Sequence, residues 1–279
     1  MTAADPNYDW LSELPLPPGT PDLRMGTRGI DEADWFIADH KTEEELVRRS
    51  RLLIEHPDHA QLLPGHEAAL GELVALVETD LGSSLRMGPI VDGVRSELVN
   101  LAVTVPEDVL LMVRNDDHWA LAGGVLLFPD QWKLMDKIGR SLAAIHAPTE
   151  GYDELLEAKV DQFFDRLKPG RMVSRRNWFV HDEPTYFLDG KINNRGLIDA
   201  AGAADLWIRS ERQTLRRLND SDAIVFTVKT QFAPLSQLRA RAETAAQMVE
   251  FIQNASQRSL ENKAVAGRVG AVLDYLSAD

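Results

Sequence analysis

The stretch VLLMVRNDDHWALAGGVLLF, residues 109–128, governs how the rest of the chain is read. Val109 to Arg114 and His118 to Phe128 are runs of β-forming residues, and Asn115-Asp116-Asp117 between them is a turn signal, so the pair predicts a hairpin. Three more strand candidates follow, at Met172–His181, Asp205–Gln213 and Ala223–Phe232, the last rich in Ile, Val, Phe and Thr.

Helical spacing occupies most of what remains. Thr42–His56 and His66–Leu81 flank a Pro64-Gly65 turn, and Leu70, Leu73, Val74, Val77 and Leu81 trace one face of the second. A helix is predicted from Asp130 to about His146, stopped by Pro148, and another over Asp153–Leu167. Two more, Ser236–Asn254 and Leu260–Leu276, close the chain. A hairpin, helices, mostly antiparallel strands and helices at both ends predict an α+β fold and not a βαβ repeat. Residues 1–23, with Pro6, Pro15, Pro17, Pro18 and Pro21, suit a partly ordered arm, away from the function. Residues 24–279 show no linker and are expected to form one domain with helical decorations.

Composition narrows the chemistry. The 279 residues are 44% hydrophobic and 27% charged, enough for a real core, and the net charge of −14 disfavours nucleic acid and anionic membrane surfaces as partners. Cysteine is absent, which excludes disulfides, thiolate zinc sites, cysteine nucleophiles, protein-bound iron–sulfur clusters and thiolate-ligated haem. The longest apolar run, Trp119–Phe128, is about half of a membrane span. The N-terminal MTAADPNYDW has neither a basic region nor an apolar run, so a cytoplasmic protein is expected. No Walker loop, GxSxG, HExxH or GxGxxG motif occurs.

Four features could carry function. His56, His59 and His66 suggest a metal site, but HPDHAQLLPGH is a Pro- and Gly-bearing loop where exposed histidines are ordinary. Leu134, Ile138, Leu142 and His146 recur every four residues; a histidine on that stripe is either a core residue bonded to a carbonyl or an axial ligand at a helix end. In RMVSRRNWFVH, Arg175 and Asn177 share one strand face and Arg176 and Trp178 the other, which suits an anion clamp or a solvated edge strand. In DLWIRSERQTLRRL, alternation puts Trp207, Arg209, Glu211 and Gln213 together, opposite Leu206, Ile208 and Ser210. Buried, such a row is an ion network or a polar reaction chamber.

In order along the chain, RGIDEADWF, VRRSRLLIEHPD, VPEDVLLMVR, FPDQWKLMDKIGRSLAAIHAP, GYDELLEAKVDQFFDRLKPGR, RRNWFV and IRSERQTLRRL resemble the haem-binding α-subunit-like proteins of haem-dependent oxidative N-demethylase. The resemblance covers roughly residues 26–253. It implies a PAS-like sheet with flanking helices, non-covalent haem b held by His146 as iron ligand, and oxidative removal of a methyl group from a small secondary amine with release of formaldehyde. Lys137, Arg140, Arg175, Arg176 and Trp178 become candidates for haem contacts, and Tyr152, Glu183, Arg209 and Glu211 for the polar substrate pocket. O2 and an external electron donor, NADPH through a flavin or iron–sulfur reductase, are then required. Pro106, Ala147-Pro148-Thr149-Glu150 and Asn219 depart from the family's usual residues, the second of these beside the expected pocket. A haem-based gas or redox sensor is the alternative, and a haem-free interaction protein a third.

Overall fold

The computed structural model describes residues 9–17, 26–115, 118–146, 154–190 and 199–278. Its strands are β1 (Arg28–Ile30), β2 (Ala60–Leu62), β3 (Asp108–Arg114), β4 (Trp119–Val125), β5 (Met172–His181), β6 (Trp207–Arg217) and β7 (Ile224–Pro234). Its α-helices are α1 (Thr42–Glu55), α2 (Glu67–Leu81), α3 (Ser96–Thr104), α4 (Leu142–His146), α5 (Glu154–Arg166), α6 (Ala200–Ala203), α7 (Leu235–Arg239), α8 (Ala242–Asn254), α9 (Gln257–Asn262) and α10 (Val269–Ser277). The strands form one antiparallel sheet in the order β1-β5-β6-β7-β3-β4-β2, so the fold is α+β, with the predicted hairpin β3–β4 paired to β7.

The β3–β4 hairpin depends on glycine. A Cβ at Gly124, whose φ is 140°, would stand 2.2 Å from the Val109 carbonyl oxygen, so a side chain there would push the strands apart.

Register sorts the sheet into two faces. On one, Leu110 and Met112 of β3, Trp119 and Leu121 of β4, Leu215 of β6 and Ile224 of β7 pack against Leu142 of α4 and Phe164 of α5. On the other, α1, α2 and α3 pack over β3. Also on that face, the N-terminal segment, α8 and α10 pack over Trp178, Val180 and Ile208 of β5 and β6. The N-terminal segment is anchored in spite of its prolines: Leu11, Leu14 and Leu16 are buried, each contributing about 1.5–3 kcal/mol.

Three of the expected helices differ. Asp130–His146 is helical only from Leu142, because Gly139 and Arg140 hydrogen-bond to Leu121 and Ser141 bridges to Ala120, spending the segment on the outer edge of β4. Leu134, Ile138, Leu142 and His146 therefore do not share one helix face. Ser236–Asn254 is two helices, α7 and α8, broken at Arg241, which is paired to Asp9 at 2.7 Å. The last predicted helix breaks between α9 and α10, where Ala264 takes a φ of 56°. Sequence periodicity also passed over α3 and the short strands β1 and β2.

Candidate functional site

The α4/α5 face carries the charged row. Arg209 and Glu211 lie two residues apart on β6 and pair across with Phe179 and Asn177 of β5, placing Arg175, Asn177, Arg209 and Glu211 on one surface. Arg209 is fully buried, and its Nη2 donates to the Phe128 carbonyl at 2.7 Å, to Glu211 Oε1 at 3.2 Å and to Thr230 Oγ1 at 3.3 Å. Asp130 Oδ2 stands 3.8 Å from Arg209 Nε and 3.4 Å from His181 Nε2.

The two carboxyls on Arg209 are driven apart. For Asp130 burial works toward a higher value, but contact with His181 and the charge of Arg209 outweigh it and hold the carboxyl below its ordinary range. For Glu211 burial prevails over Arg209 and Asp130 adds like-charge repulsion, so its carboxyl rises. Gln213 Nε2 donates to its second oxygen at 3.3 Å. The row is thus an ion network in which one carboxyl has a raised and the other a lowered proton affinity.

Two further cations stand near Glu211. Arg175 has a buried Nε with no hydrogen-bond partner. Lys263, which the sequence analysis did not single out, donates to Asn177 Oδ1 and sits over the Trp178 and Phe179 rings. Its local sequence is an ordinary helix end, and only the break after α9 brings it here.

The other expected site residues are dispersed. Lys137 is half-buried and donates to the Ile145 carbonyl at 2.7 Å, against the C-terminal end of α4, while Arg140 is exposed. The His146 backbone closes α4, its side chain lying outside the described residues, as does Tyr152. Glu183 is exposed in the turn after β5 and is not in the buried row.

Arg176 and Trp178 face away from Glu211, so Arg175 and Arg176 do not form a joint clamp; the pleat separates them. Arg176 is taken up by Ser210 Oγ and Gln231 Oε1, each at 2.9 Å, and by Glu13, and Trp178 packs on Phe251 of α8. The arm, expected to lie apart from function, thus secures the reverse side of this strand. Nor is β5 a bare edge: β1 pairs with Met172–Ile30 register partners at its start, and Lys263 O accepts from Val180 N near its end.

Among the described residues no three potential ligands stand together as a metal site. His59 Nδ1 contacts the Leu126 carbonyl at 2.8 Å, and His56 stacks on Phe187 with ring centres 4.2 Å apart. A surface groove of about 700 Å³, lined in part by Arg28, Arg166, Lys168 and Arg171, lies beside β1 and the start of β5, and no member of the charged row lines it. No helix among the described residues is long and apolar enough to cross a membrane.

An antiparallel sheet that carries a buried row of arginine and carboxyl side chains on one face, with helices packed on both faces, defines an α+β protein. The family described as "Haem-dependent oxidative N-demethylase, alpha subunit-like" matches residues 82–273, more than half of the chain, and the chain belongs to it. No curated protein matches the chain.

Among the described residues, the buried, unpartnered Arg175 Nε is a donor of the kind that fits an anionic group such as a haem propionate, and histidine is a residue type able to ligate haem iron.

Proposed function

We propose that the chain is a haem-dependent oxidative N-demethylase acting on a small secondary amine, with His146 as iron ligand and Lys137 and Arg175 among the groups that hold the cofactor. Haem, when bound, supplies the oxidative chemistry by which amine, O2, two electrons and two protons become demethylated amine, formaldehyde and water. The electrons come from a separate reductase or partner subunit, in keeping with the α-subunit-like family, since the chain carries no nicotinamide or flavin fingerprint. The PAS-like description of the sheet and a cytoplasmic setting belong to the same reading.

One observation carries it: Arg209 holds Asp130 and Glu211, whose proton affinities are driven in opposite directions. Glu211 then holds or accepts a proton at its carboxyl, and in its ionised form offers a charge-assisted hydrogen bond to a dialkylammonium ion losing its hydration. Asp130 stays ionised and, with the Phe128 carbonyl, fixes Arg209. Glu183 and Tyr152 are not needed for this arrangement.

The deciding experiment is the visible spectrum of the full chain with and without added haem, followed by assay of amine-dependent formaldehyde release with a reductase. A Soret band and formaldehyde are expected. A band without formaldehyde, across a panel of small methylamines, would favour the sensor reading, and no band would remove haem altogether.

A further inference from the structure

The break between α9 and α10 turns the chain back onto the sheet. Lys263 O accepts from Val180 N at 3.0 Å, covering the exposed edge of β5, and the following Ala264 has a φ of 56°. This tie places Lys263 Nζ 5.1 Å from the Trp178 ring centre and 5.5 Å from that of Phe179, with its ammonium on Asn177 Oδ1, 86 residues away in sequence. Asn177 lies two residues from Arg175 on the same face and opposite Glu211.

Positive charge is in excess at this point. Burial first, and Arg175 second, push the Lys263 ammonium down to about 7, with Glu211 opposing. Burial likewise lowers Arg175, with Glu211 again the opposing charge. Yet Glu211 is already engaged by Arg209 and Gln213. Arg175 Nε has no partner at all. Two neighbouring cations with a borrowed counter-charge are stabilised by one further carboxylate, and the planar guanidinium beside an ammonium suits its two oxygens.

We infer that Arg175 and Lys263 form a seat for a single carboxylate, and that its occupant is one propionate of haem. This rests on the haem reading above and adds to it Lys263, the pairing and the ligand atom group. Filling the seat also relieves Glu211 of two of the cations around it, leaving it to Arg209 and to a cationic amine. The same cations that would repel a dialkylammonium ion are thereby neutralised before it arrives.

The test compares haem with haem dimethyl ester, in which both propionates are uncharged, by Soret titration of the full chain. Wild type is expected to prefer the free acid by roughly 10- to 100-fold, the equivalent of one charge-assisted contact. Lys263→Met and Arg175→Gln should each erase most of that preference, with thermal melts reporting that the fold is retained. The comparison of the two ligands on wild type needs no variant to fold. An unchanged preference in both folded variants overturns the seat. Equal affinity of wild type for both ligands, with acetate raising the melting temperature of wild type but not of Lys263→Met, would assign the seat to a free carboxylate and overturn the propionate. Binding of neither ligand overturns the haem reading, and this inference with it.

Discussion

Arg209 Nη2 lies 3.2 Å from Glu211 Oε1 on one face of β6, and the same guanidinium reaches Asp130 from the far end of the β3–β4 hairpin at 3.8 Å. A single arginine therefore serves two carboxyls whose proton affinities are displaced in opposite directions. Removing either kind of charge has different consequences.

Glu211→Gln keeps the shape and removes the charge. Amine affinity, read as an amine-induced shift of the haem spectrum, should fall by roughly one to two orders of magnitude while the spectrum without amine is unaltered. Full amine affinity in this variant would take Glu211 out of the substrate pocket. Arg209→Gln instead leaves two buried carboxyls facing each other and should lose about 3–5 kcal/mol of stability in denaturant unfolding.

His146→Ala should abolish the Soret band or move it to that of another ligation state. An unaltered spectrum and haem content would mean that another residue is the ligand.

NADPH alone should leave the haem of the purified chain oxidised, whereas dithionite, or NADPH with a suitable reductase, should reduce it. Rapid reduction by NADPH in a reductase-free preparation would point to a nucleotide site that the sequence does not reveal.

Two buried groups set opposite pH dependences in the haem-free protein. Glu107 is almost inaccessible, with Oε1 accepting from Ile37 N at 2.9 Å and Oε2 unpartnered, and burial, opposed by Lys229, pushes it from 4.5 to about 7. The folded state therefore binds this proton more tightly, and the stability it confers is full below pH 4.5 and lost as pH rises through about 7, on the order of 3 kcal/mol in all. Lys263 acts in the other direction: lowered from 10.5 to about 7, it is charged in the unfolded chain and neutral in the folded one between those values, so stability rises with pH across that interval. Urea unfolding as a function of pH should show a stability minimum near neutrality. Glu107→Gln should flatten the acid side and Lys263→Met the alkaline side; slopes unaffected by either would exclude these groups.

The hairpin, the β5 strand from Met172 to His181 and the shared face of Arg209 and Glu211 were all legible in the sequence, because strand alternation has a period of two and is set by the backbone itself. The same alternation separated Arg175 from Arg176. It could not show that Ser210, Gln231 and Glu13 would occupy Arg176, since those partners come from other elements.

Periodicity failed where a segment was claimed by a long-range contact. The four-residue recurrence ahead of His146 reads as a helix, yet the turn at Leu134–Ile138 stops where Gly139 to Ser141 pair with the edge of β4, and helix resumes only at Leu142. Apolar spacing near the C-terminus likewise reads as one helix, and the bond from Val180 N to Lys263 O interrupts it. By itself the sequence determined the α+β class, the strand faces and the chemical types available. The tertiary structure decided which charges are buried together, and hence which carboxyl has the raised proton affinity and which lysine stands near it, because desolvation and Coulomb energy depend on neighbours brought in from distant parts of the chain.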